Sequence, residues 1–350
     1  MRQDDEVAAR AGLHPDFVEE KRYFDEGRVY AVQVELNLAC PQGCLYCYAS
    51  DADPPLEEMP HEDVIEIVDA AADMGVRAID WLGGDPLVRD DWHELMEYAR
   101  QQGLTNNIWT SGMPLQHEAV ARRAVEVSRG GFISVHLDSL NEEVYGRLHT
   151  GSAAGKIRAI LAGVDNVQAA GKNPENMVNC ITFTRTVARD AADTIRYFHE
   201  EKGMRTCLTQ MCPTGLAENR DDLVPSLEEI EAACTVRDRV NYPGSSLSIC
   251  SMDTNRYYCG GIICVTVDGD VTPCSVIRES VGNIHEEPLA AIVERHRDTL
   301  LFTELRDNGG LPEDCRTCMH NAVCWGCRAA AYYATGDVCG ADPNCYHRKG

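Results

Sequence analysis

Seventeen cysteines stand in this 350-residue chain, and eleven of them fall into two spaced groups. No other feature narrows the fold as much, because thiols at short fixed spacings serve as disulfides, zinc ligands or iron–sulfur ligands. Disulfides need an oxidising compartment, and the N-terminus MRQDDEVAAR has no apolar stretch behind it to act as a secretory signal. The expected setting is therefore a reducing cytoplasm, with the cysteines as metal ligands or buried thiols. No apolar run approaches the length of a membrane span. A net charge of −24, from 32 basic against 56 acidic residues, argues against nucleic-acid or anionic-membrane partners and reads as a solvated acidic surface.

From Arg28 onward the chain alternates strand-like and helix-like segments. Strands are expected at 29–39, 77–84, 106–112, 132–140, 177–186 and 204–215, and helices at 59–75, 91–103, 116–130, 155–171 and 188–203. Regular β–α alternation with short loops means a parallel sheet with crossover helices. The fold class is α/β, a partial (β/α)6 TIM-like barrel whose site lies at the strand C-termini, followed by a cysteine-rich module. Three parts are expected: an N-terminal extension over 1–28, the barrel over 29–225, and the cysteine-rich domain over 226–350. In that last part a bridging helix precedes a hairpin-like CVTVDGDVTPC, a helix near 287–306 and cysteine-dense loops. It has too few apolar residues for a large core, so bound metal would supply much of its stability.

The first cysteine group is Cys40-Pro-Gln-Gly-Cys44-Leu-Tyr-Cys47, a C-x3-C-x2-C spacing directly after the first expected strand. Three thiolates on one tight loop suit three irons of a cubane and leave the fourth iron open, as a catalytic zinc keeps a vacant position. Taken alone, the spacing also admits a zinc loop or chance clustering. With Tyr46 before the third cysteine, it resembles the signature of the radical S-adenosylmethionine superfamily. That resemblance implies that the methionyl amine and carboxylate of S-adenosylmethionine chelate the open iron under anaerobic conditions. One electron from a donor such as flavodoxin or ferredoxin then yields a 5′-deoxyadenosyl radical that abstracts a substrate hydrogen. Further segments follow in family order and imply cofactor-binding positions. Gly83-Gly84-Asp85-Pro86 is similar to the GGEP segment, with Asp85 for the usual Glu, and its glycines permit close backbone approach. Ser111, in Trp109-Thr110-Ser111-Gly112, resembles the TNG position. Ser134 and Asp138 resemble the SxD stretch of strand four, and Arg147 falls where relatives often carry an Arg near the cofactor carboxylate.

The second group comprises Cys259, Cys264, Cys274, Cys315, Cys318, Cys324, Cys327 and Cys345. Eight thiolates make two sets of four, which by spacing alone fit two zinc ribbons or two iron–sulfur clusters. The order resembles the SPASM extension of radical enzymes, with x2 in place of x3 before Cys327. By that resemblance Cys259, Cys264, Cys274 and Cys327 hold one auxiliary [4Fe–4S] cluster. Cys315, Cys318, Cys324 and Cys345 hold a second, with Cys339 the alternative to Cys345, so three clusters are implied in all. Full ligation leaves no open iron, which assigns the auxiliary clusters to electron transfer. Cys180, Cys207, Cys212, Cys234, Cys250 and Cys339 default to small buried hydrophobes. Cys212, in QMCPTG at a strand C-terminus, is also a candidate hydrogen-atom donor to a substrate radical.

The implied activity is a radical oxidoreductase acting on a peptide or peptide-derived group. The alternative is a small-molecule (sugar or tetrapyrrole) radical dehydrogenase, epimerase or decarboxylase. Residues 1–28 are too few for a peptide-recognition domain, and Ser275 stands where sulfatase-maturing relatives show Asp. A different class, a non-catalytic zinc-binding scaffold, shares the cysteine count but not the barrel motifs.

Overall fold

A computed structural model describes residues 17–49, 58–243 and 255–348; Cys250 and residues 1–16 of the expected extension lie outside the described residues. Six strands run in parallel and in sequence order: β1 (Ala31–Glu35), β2 (Ala78–Leu82), β3 (Thr105–Trp109), β4 (Ile133–His136), β5 (Met177–Phe183) and β6 (Arg205–Gln210). Helices α2 (His61–Asp73), α3 (Trp92–Gln101), α4 (Glu118–Val127), α5 (Glu142–Gly146) with α6 (Ala153–Ala169), and α7 (Ala191–Lys202) make the crossovers. The sheet does not close, so the expected partial α/β barrel is the observed one.

Strand β1 shows how the sequence divides the two faces. Val32 and Val34 point outward into one apolar core with Val64, Ile67 and Val68 of α2. Gln33 pairs in register with Asp80, and Asp80 with Asn107, so polar residues form an inward row. That row is satisfied internally: Asn107 Nδ2 donates to Asp80 Oδ1 at 2.7 Å, and Tyr258 Oη donates to Asp80 Oδ2 at 2.5 Å. A buried carboxylate needs such donors.

The second half is joined to the barrel more closely than a separate module would be. After α8 (Leu227–Asn241) and a short α9 (Arg256–Cys259), β7 (Ile262–Val265) runs parallel to β1 and extends the same sheet. Strands β8 (Asp270–Thr272) and β9 (Gly282–Asn283) continue it antiparallel, giving the order β6-β5-β4-β3-β2-β1-β7-β8-β9. The anticipated hairpin is β7–β8, turning at Gly269 with φ +84°. Helix α1 (Phe17–Glu26) is not an appendage. Phe24 packs with Trp325 at a ring separation of 5.3 Å, and Arg306 lies over the Phe24 ring at 4.3 Å. Helices α10 (Leu289–Leu300), α11 (Glu313–Arg316) and α12 (Arg328–Thr335) complete the chain. Helix α12 was expected as loop, because its short run between cysteines carries too little periodicity to read.

Tyr258 binds the second half to the inner barrel row, since its hydroxyl also accepts from Gln33 Nε2 at 3.2 Å. Tyr258→Phe removes a donor from the buried Asp80 and is expected to cost about 1–3 kcal/mol. Chemical denaturation with an unchanged m-value checks this.

Candidate active site

The loop after β1 carries Cys40, Cys44 and Cys47 and is held from four sides. Gly84 N donates to Asn37 O at 2.6 Å and Asp85 N to Ala39 O at 2.8 Å, fastening it to the turn after β2. A Cβ on Gly83 would come within 2.3 Å of Asn37 O, and one on Gly84 within 2.3 Å of Ala39 O. The glycine pair therefore admits the cysteine loop's own backbone, as well as lining the cavity beside it. Leu45 N donates to Leu148 O and Thr150 N to Gly43 O, both at 2.9 Å. Lys156 Nζ donates to Gln42 O at 2.5 Å, and Leu216 N donates to Cys47 O at 2.9 Å.

The cavity at the strand C-termini has a volume of about 330 Å³. Cys40, Cys44, Cys47, Tyr46, Gly83, Gly84, Ser111 and Ser134 all line it, as does Cys212. Three of the expected cofactor positions do not. Arg147 is two-thirds exposed and pairs with Glu143 at 2.5 Å, because it closes α5 on the solvent side. Asp85 is fully buried and accepts from Thr110 Oγ1, Ser111 N, Ser111 Oγ and Leu87 N, so it ties the turn after β2 to the turn after β3. Asp138 is likewise sealed, and its role is to organise the wall. It accepts from Tyr46 Oη, contacts His136 Nε2 at 3.0 Å and His149 Nε2 at 2.8 Å, and accepts from Thr182 N at 2.9 Å.

Charges in that wall follow from burial and pairing. Burial alone would raise Asp138, yet His136 and His149 hold its carboxyl far below the usual range. Burial opposes protonation of His136, but the Asp138 carboxylate prevails and raises it. His149 is pushed down by burial, so His136 is the more readily protonated of the two imidazoles beside Asp138. Sequence reasoning missed both histidines, since lone His residues in HLDS and RLHTG carry no spacing signal.

The downstream cysteines form two sets. Cys315, Cys318, Cys324 and Cys345 line one small cavity, which Cys339 does not line. The Cys345 loop is fixed by Asp342, which accepts from Cys327 N at 2.7 Å and from Gln210 Nε2 at 3.2 Å. Cys259, Cys274 and Cys327 line the main cavity. Cys264 does not; it is fully buried on β7, with Glu35 and Arg278 among its charged neighbours. It pairs in register with Gln33 of β1, and Cys274 is among its neighbours. Cys212 donates its thiol toward Cys327, which raises Cys212 and lowers Cys327. Cys180 and Cys207 are cross-strand partners on β5 and β6 with sulfurs 2.7 Å apart, and both line the main cavity.

Among the described residues no three His, Cys, Asp or Glu side chains converge closely enough for a single metal ion. The thiols surround cavities instead, an arrangement that suits a multi-atom cluster. Backbone N–H groups aim at sulfur: His320 N to Cys318 at 3.4 Å, Gly326 N to Cys324 at 3.2 Å, and Ala330 N to Cys327 at 3.4 Å. Arg328 is 1% exposed and lines the main cavity, yet its Nε and Nη2 have no partner in the protein. Trp109 Nε1 is also buried without an acceptor at the cavity wall. Orphan donors among buried thiols fit an anionic thiolate cluster and a polar ligand.

Comparison with known proteins agrees with this geometry. The profile of the Radical SAM superfamily matches residues 34–198, and that of an iron–sulfur cluster-binding domain, SPASM, matches 258–319. The chain belongs to the radical SAM superfamily and carries a SPASM domain. It is 27% identical over 345 residues to an AdoMet-dependent heme synthase of Methanosarcina barkeri, covering 90% of this chain and 96% of that protein. It is 27% identical over 339 residues to a PqqA peptide cyclase of Granulibacter bethesdensis, covering 89% of this chain and 85% of that protein. The fold is shared with anSMEcpe bound to AdoMet and the Cp18Cys peptide, at TM-score 0.67 and 15% identity over 91% of this chain and 94% of that one. It is also shared with Streptococcus suis SuiB bound to its precursor peptide SuiA, at TM-score 0.64 and 15% identity over 94% and 79%.

Two substitutions separate wall from surface. Asp85→Asn sets an amide donor against the N–H groups of Leu87 and Ser111 and is expected to cost about 1–3 kcal/mol in denaturant. Arg147→Ala, by contrast, should change stability by less than about 0.5 kcal/mol and leave S-adenosylmethionine affinity, read by calorimetry, unaltered.

Proposed function

We propose that this chain is an S-adenosylmethionine-dependent radical oxidoreductase that removes hydrogen from a peptide substrate in the barrel cavity. One observation carries the reading: a single cavity is lined both by Cys40, Cys44 and Cys47 and by Cys259, Cys274 and Cys327. When bound, a cluster on the first three thiolates supplies reductive cleavage of the sulfonium, and auxiliary clusters on the downstream thiolates supply electron storage. The chain's own groups do the placing. Gly83, Gly84, Trp109 and Ser134 line the space where the cofactor would lie. The Asp138 network fixes Tyr46 and His136 in the wall. Thr182 and Thr209, paired across β5 and β6, offer hydroxyls to a substrate. Leu38, Leu82, Met211 and Phe302 line the same space and exclude water from a reactive radical.

The peptide assignment is supported by likeness to PqqA peptide cyclases. A second reading, oxidation of a tetrapyrrole side chain, is favoured by the chain spanning 96% of the M. barkeri heme synthase. Anaerobic reconstitution should give about twelve irons per chain, falling to about eight in the triple variant Cys40→Ala, Cys44→Ala, Cys47→Ala. Wild type with dithionite should form 5′-deoxyadenosine, and the triple variant should form none. A PqqA-type peptide that raises this turnover supports the first substrate; a tetrapyrrole carboxylate that does so instead replaces it.

A further inference from the structure

We propose that Cys212, and not Cys264, supplies the fourth thiolate to the auxiliary cluster held by Cys259, Cys274 and Cys327. This rests on the iron–sulfur reading above and deepens it, because it extends the auxiliary site to a residue of the barrel itself.

Three observations converge. Cys212, Cys259, Cys274 and Cys327 line one cavity and pack in one apolar cluster with Trp325 and Phe302, while Cys264 belongs to neither. The Cys212 thiol interacts with Cys327, and Cys274 lies near Cys212 as it does near Cys264. Cys264 instead is fully buried opposite Gln33 of β1, beside the Glu35–Arg278 ion pair, whose closest atoms are 2.7 Å apart. A cubane cluster bound by four thiolates, one on each iron, needs all four sulfurs around one volume.

The local backbone explains why position 212 can serve. It follows β6, whose last residue Gln210 accepts from Asn344 Nδ2 at 3.0 Å and donates to Asp342 Oδ2. Asp342 in turn holds Cys327 N. The strand end that presents Cys212 is thus tied to both downstream cysteine loops. Ligation from there would fasten the auxiliary cluster to the wall of the substrate cavity and leave Cys212 no hydrogen to donate to a substrate radical.

The test uses the full chain in the Cys40→Ala, Cys44→Ala, Cys47→Ala background, so that only auxiliary clusters report. Iron content, Mössbauer spectra and the reduced-state EPR signal are compared for added Cys212→Ala, Cys212→Ser, Cys264→Ala and Cys250→Ala. The expected result is that Cys212→Ala loses up to about four irons or shifts one cluster's EPR signal. Cys212→Ser, which keeps an oxygen ligand of similar size, should retain more iron with a changed spectrum, and that spectrum separates ligation from misfolding. Cys264→Ala and Cys250→Ala should match the background. An unchanged signal in both Cys212 variants, or loss of a cluster in Cys264→Ala or Cys250→Ala, overturns the assignment. A background protein that binds no iron overturns the cluster reading itself, and this assignment with it.

Discussion

Close backbone contact between the loop after β1 and the turn after β2 holds the rest of the site in place. Gly83 and Gly84 bring two main chains within hydrogen-bonding distance, where any Cβ would collide with Asn37 O or Ala39 O. Asp85 then carries the constraint onward, since its buried carboxylate gathers donors from the turn after β3. Three strand ends are thereby locked into one rim, and the cysteine loop sits on it. The aspartate in place of glutamate takes part in this fastening.

The second half solves a different problem. Its apolar residues make a small core around Phe24, Trp325, Phe302 and Leu305, with cysteines filling the gaps between them. Guanidinium groups take structural roles there: Arg256 lies 5.0 Å from the Trp325 ring and Arg306 caps Phe24. Burial pushes the thiols of Cys274 and Cys315 up to about 11, so as free side chains they are neutral. Metal binding at such thiols displaces protons and adds its free energy to folding. Pairing of β7 with β1 makes that stabilisation common to both halves, which explains why the cluster-bearing segment is built onto the barrel sheet.

The barrel was legible because each strand–helix unit announces itself locally. VYAVQVELNLA carries its buried strand in alternation, and MPHEDVIEIVDAAADMG its helix in a 3.6-residue period. The cysteine loop stood out by its spacing together with its place directly after the first strand. What escaped were His136 and His149 around Asp138, near in sequence but without a spacing signal, and the integration of α1 into the C-terminal core, which joins residues far apart. Arg147 stands exposed at a helix end beside Glu143, a direction that a motif position does not give.

The sequence by itself determined the order of elements, the three-thiol loop and the cysteine-rich second half, since these depend on spacing and periodicity within a few residues. Only the tertiary structure decided that Cys212 shares a cavity with Cys327 while Cys264 does not, and it placed Cys345, which the motif order favoured over Cys339, in a cavity with Cys315. Those outcomes turn on strand register and on which side chains a folded sheet directs to a common volume. Register couples residues hundreds of positions apart, and no local pattern in the chain encodes it.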